Sequence, residues 1–163
     1  MTKHLDRDMD QLHRDILSLS AVVEEMIGNA GRALQDARVD LAEKVIHDDQ
    51  EVDQQEVAIE EECLKMLALH HPVAIDLRRI STVIKVNNDL ERIADLAVNV
   101  AQRAIGVKDY PRFVIPEGVG PMVSKVSGMV RGALDAFVNM DTNAAKSVIL
   151  RDDEVDASSI VYV

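Results

Sequence analysis

The sequence predicts an all-α protein of tandem three-helix bundle repeats, with the first repeat complete and the second incomplete. Three observations carry this. Apolar residues recur at steps of three and four along most of the chain, the period of an amphipathic helix. Aromatic residues make up only 2% of a chain that is 47% hydrophobic, so its core is aliphatic and built from strong helix formers. A segment of the chain also recurs 103 residues later: Val23 to Asp53 aligns with Val126 to Asp156 with 11 of 31 positions identical. Chance would give about two matches, and self-similarity at a fixed spacing marks a repeat architecture.

The first helix is expected from about Lys3 to Gln35, with Leu5, Met9, Leu12, Ile16, Leu19, Val23, Met26, Ala30 and Ala33 along one stripe. Gly28 and Gly31 weaken the pattern near its end. Asp40 is a candidate N-cap for a second helix over 41–70. The stripe of that helix reads Leu41, Val45, Asp49, Val52, Glu56, Ile59, Cys63 and Met66, so two acids occupy positions that periodicity assigns to the core. Cys63 reads as an ordinary core residue, since a lone cysteine has no partner for an intrachain disulfide. His70, His71 and Pro72 close the helix, because proline disfavours helical geometry in the residue before it. A cationic side chain at that end also suits the exposed carbonyls.

A third helix follows over 73–105. Its stripe takes in Leu77, Ile80, Ile84, Asn87, Glu91, Ala94, Val98, Ala101 and Ile105. Glu91 sits inside this face, where a carboxylate without a partner would cost several kcal/mol or stay protonated. The short turn at Pro72 makes the second and third helices antiparallel neighbours. Asp53 and Glu91 both lie 19 residues from Pro72, and Asp49 and Asp95 both lie 23 away. At a rise of about 1.5 Å per residue the two pairs are level, Asp49 facing Asp95 and Asp53 facing Glu91. Four carboxylates at one height repel strongly unless positive charge sits among them. An all-oxygen set suits hard cations. A salt-bridged seam, with Lys85 or Arg92 as partner, is the alternative reading of the same residues.

Residues 106–120 lose the helical period and hold two prolines and three glycines, so they read as a linker between a first unit over 1–105 and a second over 121–163. A fourth helix is expected over 121–138, then a turn over 139–142 and a fifth helix. In the repeat alignment Asp49 and Asp53 fall on Asp152 and Asp156. The counterparts of Glu91 and Asp95 would fall at positions 194 and 198, 103 residues on and past the last residue. The segment ASSIVYV after Asp156 drops the polar helical pattern. The second unit is therefore expected to be cut short within its second helix, without a third, and its apolar faces to favour association or aggregation.

A formal charge of −11 repels a phosphate backbone and argues against direct nucleic-acid binding. No apolar run approaches the length of a membrane-spanning helix, and no signal-peptide pattern opens the chain, so a cytoplasmic protein is expected.

HDDQEVDQQE, PVAIDLRRISTVIKVNNDLERIADLAVNVA and RDDEVDA together resemble the PhoU family, the cytoplasmic regulators of bacterial phosphate uptake. The resemblance covers the chain to about Ala157. It implies two tandem three-helix bundles whose E/D-x-x-x-D motifs bind metal ions, in some members as multinuclear iron clusters. Carried onto this chain, the motifs fall on Asp49 and Asp53, on Glu91 and Asp95, and on Asp152 and Asp156, with Fe, Mn or Mg as the metal; the fourth motif has no counterpart. The resemblance further implies a non-enzymatic, negative regulatory role exerted by binding the ATPase of the phosphate ABC transporter and the phosphate-sensing histidine kinase. A homodimer is the expected assembly. Arg78 and Arg79, at the start of the third helix, are a candidate contact element. Two rivals differ in class. One is a helical adaptor without metal; the other is a ferritin-like di-metal enzyme, which uses Glu-x-x-His pairs that this sequence does not contain.

Overall fold

The structure, a computed structural model, describes residues 3–107, 109, 110 and 112–160. Pro111, expected to interrupt helix in the linker, and the last three residues of the ASSIVYV segment lie outside the described residues. Helix α1 spans Lys3–Asp36, α2 spans Val39–His70 and α3 spans Ala74–Val107. These three pack on one another as a closed bundle. Helix α4 (Val119–Val138) lies on α1, and two short helices, α5 (Thr142–Leu150) and α6 (Asp152–Ile160), pack on α4. No strand occurs among the described residues.

The α1 stripe is buried as its period requires: Leu12, Ile16, Leu19, Val23, Met26 and Ala33 are all 0% exposed. Neither glycine ends the helix. Ala37, in a left-handed conformation with φ 53°, turns the chain, and the Arg38 amide donates to the Ala33 carbonyl at 3.1 Å, a helix-closing bond usually associated with glycine. This turn is so tight that Arg38, not Asp40, is the N-cap of α2. Asp40 falls in the first turn instead, where its charge suits the helix N-terminus, and it pairs with Arg38 at 2.6 Å. His71 closes α2 in a left-handed conformation, φ 44°.

The buried stripes are offset from those read in the sequence. In α3 the buried residues are Ile80, Val83, Asn87, Leu90, Ala94, Ala97, Ala101 and Ala104. Glu91 is half-buried at the edge, and Leu77 is exposed. In α2, Ala42, Val45, Val52, Ile59, Cys63 and Met66 are buried, while Asp49 and Glu56 are half-buried. The reason is geometric: each helix faces two neighbours, so its apolar arc is wide and centred between them, and the acids fall at the margin where α2 and α3 meet solvent. Burial pushes the Cys63 thiol up to about 11, which keeps it a neutral core residue.

Helices α1 and α4 run antiparallel. Arg131 on α4 grips Glu24 through Nε at 2.9 Å and Nη2 at 2.7 Å. Further along, Gly31 lies against Val123, and at the other end His13 and Phe137 stack at a tilt with centroids 6.0 Å apart. The expected single fifth helix is divided at Arg151 into α5 and α6 of nine residues each. Asp152, Asp153 and Glu154 occupy the first turn of α6, where three carboxylates answer the helix N-terminus and favour a fresh start there. The chain stays helical through Ile160, past the point where the polar pattern ends.

The second unit is open where the first is closed. Val23, Met26, Val45 and Val52 are 0% exposed, whereas their repeat counterparts Val126, Met129, Val148 and Val155 are only half-buried. Among the described residues no helix is long and apolar enough to cross a membrane.

Candidate metal centre

The seam between α2 and α3 has the register expected from the distances to Pro72. The bond that fixes it is between Asn87 and Glu56, which lie 15 and 16 residues from Pro72 on either side. Asn87 Nδ2 donates to the Glu56 carbonyl oxygen at 2.9 Å and to Glu56 Oε1 at 3.2 Å. One turn further from Pro72 come Asp53 and Glu91, and one turn beyond them Asp49 and Asp95.

The four acids act on one another electrostatically. Partial burial raises the Glu91 carboxyl above the usual glutamate range, and the charges of Asp95, Asp53 and Asp49 raise it further, with Arg92 opposing. The Asp49 carboxyl is raised by burial and then by Asp53 and Asp95. Glu56 joins the same field, raised by burial, Glu60, Glu91 and Asp53. Asp53 and Asp95 are exposed, Asp49 and Glu91 half-buried. The seam therefore opens to solvent on one side.

As the side chains stand, no set of three or more His, Cys, Asp or Glu residues among those described is gathered closely enough to hold an ion. No salt bridge among the described residues joins Asp49, Asp53, Glu91 or Asp95 to a Lys or Arg. The donor chemistry nonetheless fits a hard cation: all donors are oxygens, all are net negative, and the carboxyl of each half-buried acid is raised by its neighbours. A second sign of fit is Asn87 Oδ1, which is buried and has no hydrogen-bond partner.

Asp152 and Asp156 lie one turn apart on α6, exposed to solvent. Helix α6 contacts α4 and α5 but not α2 or α3, so these two acids stand apart from the first four. His70 does not turn toward the seam; its Nε2 meets Asp8 Oδ2 at 3.0 Å and ties the end of α2 to the start of α1. Arg78 is exposed, and Arg79 reaches Met140 in the α4–α5 turn, Nη2 to Sδ 3.8 Å. The paired acidic motifs do not include Asn87 and Glu56. The signal for these two is that they are polar residues at stripe positions of two facing helices, 15 and 16 residues from the turn.

An all-α chain with a closed three-helix bundle, an open second unit and an acidic seam of E/D-x-x-x-D pairs defines a class of tandem helical repeat proteins. The chain belongs to the PhoU family: the PhoU domain matches residues 16–104 and 119–160. A phosphate-specific transport system accessory protein PhoU homolog from Aquifex aeolicus is 38% identical over 152 residues, covering 93% of this chain and 69% of the relative. Its counterpart from Pseudomonas aeruginosa is 37% identical over 160 residues, covering 96% and 65% respectively. The crystal structure of PhoU from Pseudomonas aeruginosa superposes with a TM-score of 0.89 at 37% identity, over 94% of this chain and 74% of that one. The phosphate transport system regulatory protein PhoU from Streptococcus pneumoniae gives 0.90 at 27% identity, over 96% and 74%.

Proposed function

We propose that the protein is a cytoplasmic negative regulator of phosphate uptake and of the phosphate-starvation response. It acts by binding the ATPase of the phosphate ABC transporter and the phosphate-sensing histidine kinase. The observation that carries this reading is the family relation, which extends over nearly the whole chain to relatives named as accessory proteins of phosphate-specific transport. In a strain lacking its own family member, expression of this chain is expected to restore repression of a phosphate-starvation reporter in high phosphate, and the tagged chain to retain both partners. Failure to repress, together with failure to retain either partner, would sink the proposal.

The carboxylate seam is proposed to hold hard metal ions, Fe, Mn or Mg, through Asp49, Asp53, Glu91 and Asp95, with Asp152 and Asp156 contributing a second, partial donor set. A bound ion would supply the positive charge that offsets four mutually repelling carboxylates. Elemental analysis of chelator-free protein is expected to find metal that is lost from a folded Glu91→Gln, Asp95→Asn double variant. The metal-free adaptor is favoured by one observation, the separation of the acids as they stand. Metal-free protein with unchanged helicity and intact partner binding would select it. The half-buried apolar face of the second unit supports a homodimer as the working assembly.

A further inference from the structure

Asn87 lies at the inner end of the acidic seam and is 0% exposed. Both of its described bonds leave from Nδ2 toward Glu56, so its oxygen Oδ1 remains buried without a partner. Such an orphan is costly, because a buried acceptor with nothing to accept has lost its water and gained nothing. The amide cannot simply be turned over, since that would aim Oδ1 at the Glu56 carbonyl and carboxylate oxygens that Nδ2 now contacts.

Two carboxylates belong to the same corner. Glu56 Oε1 is 3.2 Å from Asn87 Nδ2. Glu91 follows Asn87 by four residues on α3, so the two positions are one turn apart and adjacent on the helix surface. Glu91 and Glu56 also act on one another electrostatically across the seam. An amide oxygen with two carboxylates is a neutral-plus-anionic oxygen set of the kind that binds Mn2+ or Mg2+.

We propose that Asn87 Oδ1, with the carboxylates of Glu56 and Glu91, forms an inner oxygen site for a hard divalent cation adjoining the E/D-x-x-x-D seam. The proposal rests on the reading of that seam as a hard-cation centre and extends it to two residues outside the paired motifs. A cation there satisfies the orphaned oxygen and separates Glu56 from Glu91.

The test is equilibrium dialysis of the chelator-treated full chain against Mn2+, with thermal unfolding measured in the presence and absence of Mn2+. Asn87→Leu removes the orphan while keeping similar volume, and should weaken Mn2+ binding about tenfold or more. Its unfolding temperature without Mn2+ should match or exceed that of the parent, while the rise on adding Mn2+ shrinks. Glu56→Gln keeps an acceptor for Asn87 Nδ2 but removes a charge, and should weaken binding similarly; it decides the matter if Asn87→Leu does not fold. Parent-like affinity in both variants, with affinity lost in Asp49→Asn, Asp95→Asn, would overturn the inner site and leave the seam standing. No Mn2+ binding by the parent would overturn both. An Asn87→Leu protein destabilised equally with and without Mn2+, and binding it normally, would make Asn87 a structural contact and overturn the proposal.

Discussion

At the scale of single residues, the seam is a store of repulsion that pH releases. The carboxyls of Asp49, Glu56 and Glu91 are raised in the folded chain, each first by burial and then by neighbouring acids. An acid with a raised folded pKa binds more protons folded than unfolded, so stability falls as pH rises through the interval between its unfolded and folded values and is greater below it. Metal-free protein is therefore expected to gain thermal stability as pH drops from 7 toward the ordinary carboxyl values of 3.8 and 4.5. Glu91→Gln should flatten that gain and raise stability at pH 7, both read by circular dichroism melts. A parent whose melting temperature falls steadily over this range would contradict the expectation. The level of these acids is legible in the sequence, because a short turn between two long helices converts residue count directly into height. Their depth is not, because periodicity locates the middle of an apolar arc only to within a residue or so when a helix serves two neighbours. That margin moves Glu91 from core to edge.

At the scale of elements, the two glycines of α1 make opposite predictions. A Cβ added at Gly28 meets nothing within 4 Å, so Gly28→Ala should stabilise by roughly 0.5–1 kcal/mol through helix propensity alone. A Cβ at Gly31 would lie 2.5 Å from Val123 Cγ1, and valine has no flexible end to withdraw. Gly31→Ala is expected to push α4 off α1, seen as earlier protease cleavage in 108–118 and a lower melting temperature despite the better helix former. The three long helices are legible because each carries many periods of its apolar stripe. The break at Arg151 is not, since neither Gly nor Pro marks it. The available cue is the acidic run Asp152, Asp153, Glu154, which suits a solvated face and equally the first turn of a new helix. Asp141, by contrast, caps α5 through the amides of Asn143 and Ala144 at 2.9 and 3.0 Å, so the turn before that helix is fixed by side-chain chemistry.

At the scale of the molecule, the two units differ in how much apolar surface they leave in water. Ile149 and Leu150 on α5 are each 71% exposed, beside the half-buried Val148 and Val155. A face of this kind drives association. Sedimentation velocity is expected to show concentration-dependent self-association that Ile149→Gln with Leu150→Gln diminishes, while the melting of the first bundle is unchanged. Monomeric behaviour of the parent at all concentrations would count against it. This asymmetry is legible from the repeat, because a residue's counterpart predicts the company it needs.

The antiparallel contact of α1 with α4 has a further meaning in the frame of the repeat. Arg131 and Val123 are the counterparts of positions 28 and 20, so Glu24 meets the equivalent of 28 and Gly31 the equivalent of 20. Both pairs are centred close to Met26. The helix is thus set against its own duplicate about an approximate two-fold axis, which is the isologous geometry by which two separate subunits pair. The geometry is shared but the side chains are not: the counterparts of Glu24 and Arg131 are Ser127 and Gly28, so the ion pair belongs to one side of the axis alone. The contact that two separate subunits would make with each other is thereby made inside one chain, where no second molecule has to be met.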